Sequence, residues 1–119
     1  MKEKFTYLTI DENNKVPICF NLNVLEAIQE KYGSLKKWGA IVETTDDGIP
    51  QIKELKEGLL LMVNEAIEIE NDKNSTNNPP IDSKKMGRII SQVGIDEVVK
   101  AIKKMTVEST TTDDEPKNE

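Results

Sequence analysis

Residues 50–71 read PQIKELKEGLLLMVNEAIEIEN, and the fold turns on whether this run is one helix. Ile52, Leu55, Leu59, Met62, Val63, Ala66 and Ile67 recur at the 3.6-residue helical period, and Leu60 and Leu61 widen the apolar arc beyond one stripe. A helix with so broad an arc needs neighbours on several sides, so the segment is expected to form the spine of the core. Each large apolar side chain it buries contributes roughly 1.5–3 kcal/mol before conformational entropy is subtracted. Pro50 suits the first helical position, where its missing N–H is not needed, and TTDDG at 44–48 is a turn cluster just before it.

Upstream, KFTYLTI (4–10) and KVPICF (15–20) are β-branched and aromatic runs separated by DENN, which predicts a β-hairpin. Pro17 lacks a backbone donor and places the second strand at a sheet edge. Asn23 is then the expected cap of a helix to Tyr32, with Glu26 three residues on as its capping-box partner and Gly33 as its left-handed end. Val24, Leu25, Ile28 and Tyr32 form the apolar stripe of that helix. Ser34 caps a second short helix with Leu35, Trp38 and Ile41 or Val42 on one face, weakened by roughly 1 kcal/mol through Gly39.

Downstream, NDKNSTNNPP (71–80) has no apolar residue and is a loop. Asp82 caps the next helix, with Ile81 as a hydrophobic staple on Met86, and Met86, Ile89, Ile90 and Val93 on one face. Gly94 ends it, and Ile95, Val98, Val99 and Ile102 repeat the spacing in the last helix. From about Thr106 the chain holds one apolar residue, Val107, and five carboxylates against Lys117, so disorder is expected there. The expected fold is mainly α with a small N-terminal β-hairpin (α+β). It is a single helical domain over 1–105, with helices near 23–32, 34–43, 50–71, 83–93 and 95–105, followed by a disordered acidic tail over 106–119.

Composition narrows the function classes. The 119 residues suffice for one domain, and a net charge of −6 opposes general attraction to nucleic acid or an anionic membrane. The longest apolar run, LLLMV, has five residues, against the roughly 20 that span a bilayer. A lone cysteine, Cys19, forms no disulfide within the chain, and MKEK opens no signal-peptide core, so a soluble cytoplasmic protein is expected. There is no histidine, hence no use of the commonest general base and metal ligand, and the six glycines form no phosphate-cradling motif. Glu65, Glu68 and Glu70 are a solvated helix face, since di-metal bundles add histidine and carboxylates from other helices. Cys19 is a small buried hydrophobe. No catalytic residue, cofactor or metal site is expected, and the chain is taken as a non-enzyme.

The final helix pair has the spacing of a helix-turn-helix, PIDSKKMGRIISQVGIDEVVKAIKK at 80–104, and is locally basic: Lys84, Lys85, Arg88, Lys100, Lys103 and Lys104 face only Asp82, Asp96 and Glu97. A recognition helix sets its N-terminal side chains against the bases, and here those are Asp96 and Glu97. The lysines lie at the far end, where the helix dipole accounts for them. A small DNA-binding regulator using this helix pair is therefore the second-ranked alternative, and a structural connector subunit the third.

In order, FNLNVLEAIQEKYGSL, the long helix ending LLLMVNEAIEIEN, the polar loop, and PIDSKKMGRIIS followed by GIDEVVKAIKKM resemble the tail assembly chaperones of long-tailed (siphovirus-type) phages and prophages of Gram-positive bacteria. The resemblance covers about residues 3–105, and its most specific parts are capping and packing patterns. It implies a non-enzymatic chaperone in the host cytoplasm, absent from the mature virion. Such a protein binds the tape measure protein, keeps it soluble and helps recruit tail tube subunits. In many relatives a longer product arises by ribosomal frameshifting; the plain STTTDDEPKNE ending here departs from that pattern. The partner-binding surface is expected among Leu25, Ile28, Tyr32, Leu35, Trp38, Ile41, Ile90 and Val98, with no nucleic acid or membrane partner and with self-association left open.

Overall fold

The computed structural model describes residues 1–43 and 47–111. Its elements are β1 (Lys4–Asp11), β2 (Asn14–Phe20), α1 (Leu22–Tyr32), α2 (Leu35–Glu43), α3 (Ile52–Asn74), α4 (Ser83–Val93) and α5 (Ile95–Thr111). The fold is mainly α with one two-stranded antiparallel hairpin, as the hydrophobic periods predict.

α3 is the spine. Leu55, Leu59, Met62, Val63 and Ala66 are buried along it, and β2, α1, α2 and α4 all pack on it. Ile52 departs from the expected stripe: it sits in the first turn and stays 39% exposed. The hairpin pairs Phe5 with Cys19 and Leu8 with Val16 across a tight connection at Glu12 and Asn13. Asp11 organises that turn by accepting from the Asn13 backbone N–H at 2.8 Å and the Asn14 side-chain amide at 2.9 Å. The Asn14 bond first, then the Asn13 bond, holds the Asp11 carboxyl below its usual range. At its end β2 is covered on both sides, by α3, α1 and α5, so Ile18, Cys19 and Phe20 are all fully buried in succession.

The structure corrects four boundaries. Asn21, not Asn23, caps α1: its side chain accepts from the Val24 N–H, and Leu22 joins the helix. Asn23 lies inside the first turn and donates instead to Glu65. Gln51 rather than Pro50 precedes the first residue of α3, and its own side chain makes no cap bond. α3 continues past Asn71 to Asn74 and stops at Ser75, which takes a left-handed φ of 56° and donates its N–H to Asn71 O. α5 does not end near 105 but runs to Thr111, because Met105 is buried and so is Ser109 one turn on. The acidic stretch is thus helical over 106–111; its remainder, 112–119, and the TTD at 44–46 lie outside the described residues.

The other caps are those the sequence indicates. Ser34 Oγ accepts from Lys37 N–H at 3.0 Å, and Asp82 Oδ1 from Lys85 N–H at 2.8 Å. Gly33 and Gly94 end their helices at positive φ, 97° and 101°. Asn64 clamps the α4 entry by donating to Ile81 O and accepting from Ile81 N–H.

Candidate partner-binding groove

Trp38 organises the region where α2 meets α3. Its indole packs against α3 at Gly58, where an added Cβ would fall 2.1 Å from Trp38 Cζ2. Its Nε1–H donates to Glu54 O at 2.9 Å, so the one polar atom of a 3%-exposed ring is satisfied. α2 packs on α3 there, and residues of α5 come to the same place. Between them is an open apolar groove of about 110 Å³, walled by α2 and α5 and floored by Leu55. At one end Lys103 Nζ meets Glu43 at 3.0 Å, an exposed ion pair that joins the two walls.

The eight residues expected to bind a partner divide in two. Ile28, Trp38, Ile90 and Val98 are core residues, buried within the chain itself. The reason is that α1, α4 and α5 each turn their strongest apolar positions onto α3 and the hairpin, which consumes those faces. Leu25, Tyr32 and Leu35 are half-buried at the core margin, and Ile41 is 38% exposed. Of the eight, the structure brings only Leu35 and Trp38 together in the groove. Val42, not Ile41, is buried beside Trp38 on the α2 face. Gly39, Val99 and Thr106 complete the groove beyond the residues to which the sequence points.

Tyr32 closes the junction of α1 and α3 instead of facing a partner. Its hydroxyl donates to Glu57 Oε1, and Lys31 adds an ion pair to Glu57 at 3.5 Å. Burial, and then that bond, raise the Tyr32 hydroxyl; the same bond, and Lys31 behind it, lower Glu57.

The α3 carboxylates are tethers, not a solvated row as the sequence suggests for Glu65 and Glu70. Glu65 Oε2 accepts from the Asn21 and Asn23 side-chain amides at 2.8 and 2.9 Å, and Glu70 accepts from the Tyr7 hydroxyl. Glu68 remains exposed. Among the described residues, no group of three or more acidic, cysteine or histidine side chains is arranged to hold a metal ion. Cys19 is fully enclosed, and burial first, with Glu65 and Glu3 adding, pushes its thiol up to about 12. A thiol so protonated is a poor nucleophile at neutral pH. Among the described residues, no helix is long and apolar enough to cross a membrane.

What the arrangement offers chemically is apolar area beside lysines and carboxylates in ion pairs. Protein-family models, curated proteins and solved structures were each compared with the chain, and none matches.

Proposed function

We propose that the chain is a tail assembly chaperone of a long-tailed phage or prophage, which holds apolar helical stretches of the tape measure protein in solution and helps bring tail tube subunits to it. Two things support this reading: the sequence resemblance over about residues 3–105, and one structural observation, the open apolar groove between α2 and α5. A holder of helices needs exposed apolar area on a stable scaffold and needs no reactive constellation. On this reading the protein is a binding protein and not an enzyme, works in the host cytoplasm, and leaves before the virion is complete.

The test is co-expression with a segment of the tape measure protein. The segment is expected to be insoluble alone, and soluble and co-purifying when this chain is present. A segment that stays equally insoluble and never co-purifies removes the mechanism. Purified virions are expected to lack the chain, whereas a structural connector would be found in them by mass spectrometry.

A further inference from the structure

We infer that the outer side of the α3–α4 junction holds an acidic stretch of the partner polypeptide, whose carboxylates meet Lys56, Lys84 and Arg88. This rests on the chaperone reading for the partner and adds the chemistry of a contact away from the groove. Among the described residues two lysines are half-buried, Lys4 and Lys56. Lys4 has its counter-charge in Glu108 at 3.8 Å. Lys56 has none: the ion pairs among the described residues engage Lys4, Lys31, Lys100 and Lys103, and the Lys56 ammonium makes no hydrogen bond either. It lies instead against α4, where a Cβ built on Gly87 would stand 3.5 Å from Lys56 Nζ. A charge drawn partly out of water needs a partner of opposite sign.

The α4 side of the junction repeats the pattern. Lys84 stands one turn before Gly87 and Arg88 follows it; four residues apart, the two share one side of the helix. Both are exposed, and neither forms an ion pair. They occupy the first two turns of α4, where the helix dipole favours carboxylates over cations. That first turn holds no acidic residue, and an oxygen of the Asp82 cap is bonded to the Lys85 N–H. Three cations around Gly87 are thus left without counter-charge in a chain that has 22 acidic residues against 16 basic ones. Screening confines their field to about 8 Å at physiological salt, so the site attracts carboxylates although the whole molecule is negative. Glutamates four apart on a partner helix match the spacing of Lys84 and Arg88. A nucleic acid fits less well: binding to its backbone uses about 6–10 phosphate contacts, and the net charge of −6 repels the rest of the strand.

The experiment uses the full chain and the tape measure segment that it solubilises. One triple variant carries Lys56→Gln, Lys84→Gln and Arg88→Gln; a second carries Lys2→Gln, Lys36→Gln and Lys73→Gln, which removes as many charges elsewhere. None of the six side chains makes an ion pair, so both variants are expected to fold. The first is expected to lose about tenfold or more in segment affinity at low salt, and the second less than about threefold. The difference between them should shrink as salt rises from about 0.05 M to 0.5 M. Equal affinity of the two folded variants at low salt overturns the inference and leaves the chaperone reading standing. A segment that the unaltered chain does not hold removes both. A short DNA duplex held more tightly than the segment, and released by the first variant alone, assigns the face to nucleic acid and overturns the inference.

Discussion

At the scale of single residues, Gly58 and Gly39 share a backbone class and predict opposite responses. Alanine at either position gains about 1 kcal/mol of helix propensity. At Gly58 the new methyl would sit 2.1 Å from an indole carbon whose ring is held by its own bond to Glu54 O, whereas at Gly39 it would have nothing within 4 Å. Overpacking of that kind costs about 1–3 kcal/mol or more, so Gly58→Ala is expected to destabilise and Gly39→Ala to stabilise by about 1 kcal/mol. Urea midpoints of the two variants check the opposite signs. Cys19 supports a second prediction. In the native protein Ellman's reagent at pH 8 is expected to react no faster than the chain opens, and to accelerate with urea. Because the folded thiol titrates near 12 and not at its ordinary 9.0, its contribution to stability is complete below pH 9.0 and is lost as pH rises toward 12. Cys19→Ala is expected to flatten that part of the pH profile.

At the scale of elements, caps were the most legible signals, and non-local continuations the least. Ser34, Asp82, Gly33 and Gly94 act within a turn of their own position, so local chemistry identifies them. Asn21 and Asn23 are the same residue type two positions apart and both donate to Glu65 of α3; what separates their roles is that Asn21 accepts from the Val24 N–H. Asn21→Ala removes a cap bond and a bond to Glu65, and is expected to cost about 1–2 kcal/mol; Asn23→Ala, which loses only an exposed amide–carboxylate bond, should cost under about 1 kcal/mol. Reversed magnitudes in thermal melts would return the cap to Asn23. The last turns of α5 were illegible for a tertiary reason. TVESTT carries weak helix formers, yet Met105 and Ser109 find cover against the rest of the fold, and Thr106 and Thr110 return their hydroxyls to the carbonyls four residues back. The same limit applied to the groove: apolar stripes mark Leu35 and Trp38 as interacting, but not whether the partner is this chain or another.

At the scale of the whole molecule, the fold is drawn onto α3 by side-chain bonds from separate elements, and the one between Tyr32 of α1 and Glu57 connects stability to pH at both ends. Glu57 is held below its ordinary 4.5, chiefly by the Tyr32 hydroxyl, so its contribution is present above that value and is lost as pH falls through the lower folded value. Tyr32 is held above its ordinary 10.0, by burial and then by the same bond, so its contribution is present below that value and is lost as pH rises past it. The two limbs share one cause, and a single substitution should act on both. Tyr32→Phe keeps the ring and deletes the bond. Since Glu57 is partly exposed, the loss near neutral pH is expected at about 1–2 kcal/mol, toward the lower end for a bond to a charged group. The difference between the two proteins should then narrow in strong acid, where Glu57 is protonated in both, and above pH 10, where Tyr32 begins to cost the unaltered chain its stability. The Cys19 slope, which starts a unit lower in pH, remains in both proteins and so cancels from the difference. Denaturant midpoints from pH 3 to pH 11 measure this directly; a difference that stays constant across the range would show that the bond between α1 and α3 carries no proton-linked stability.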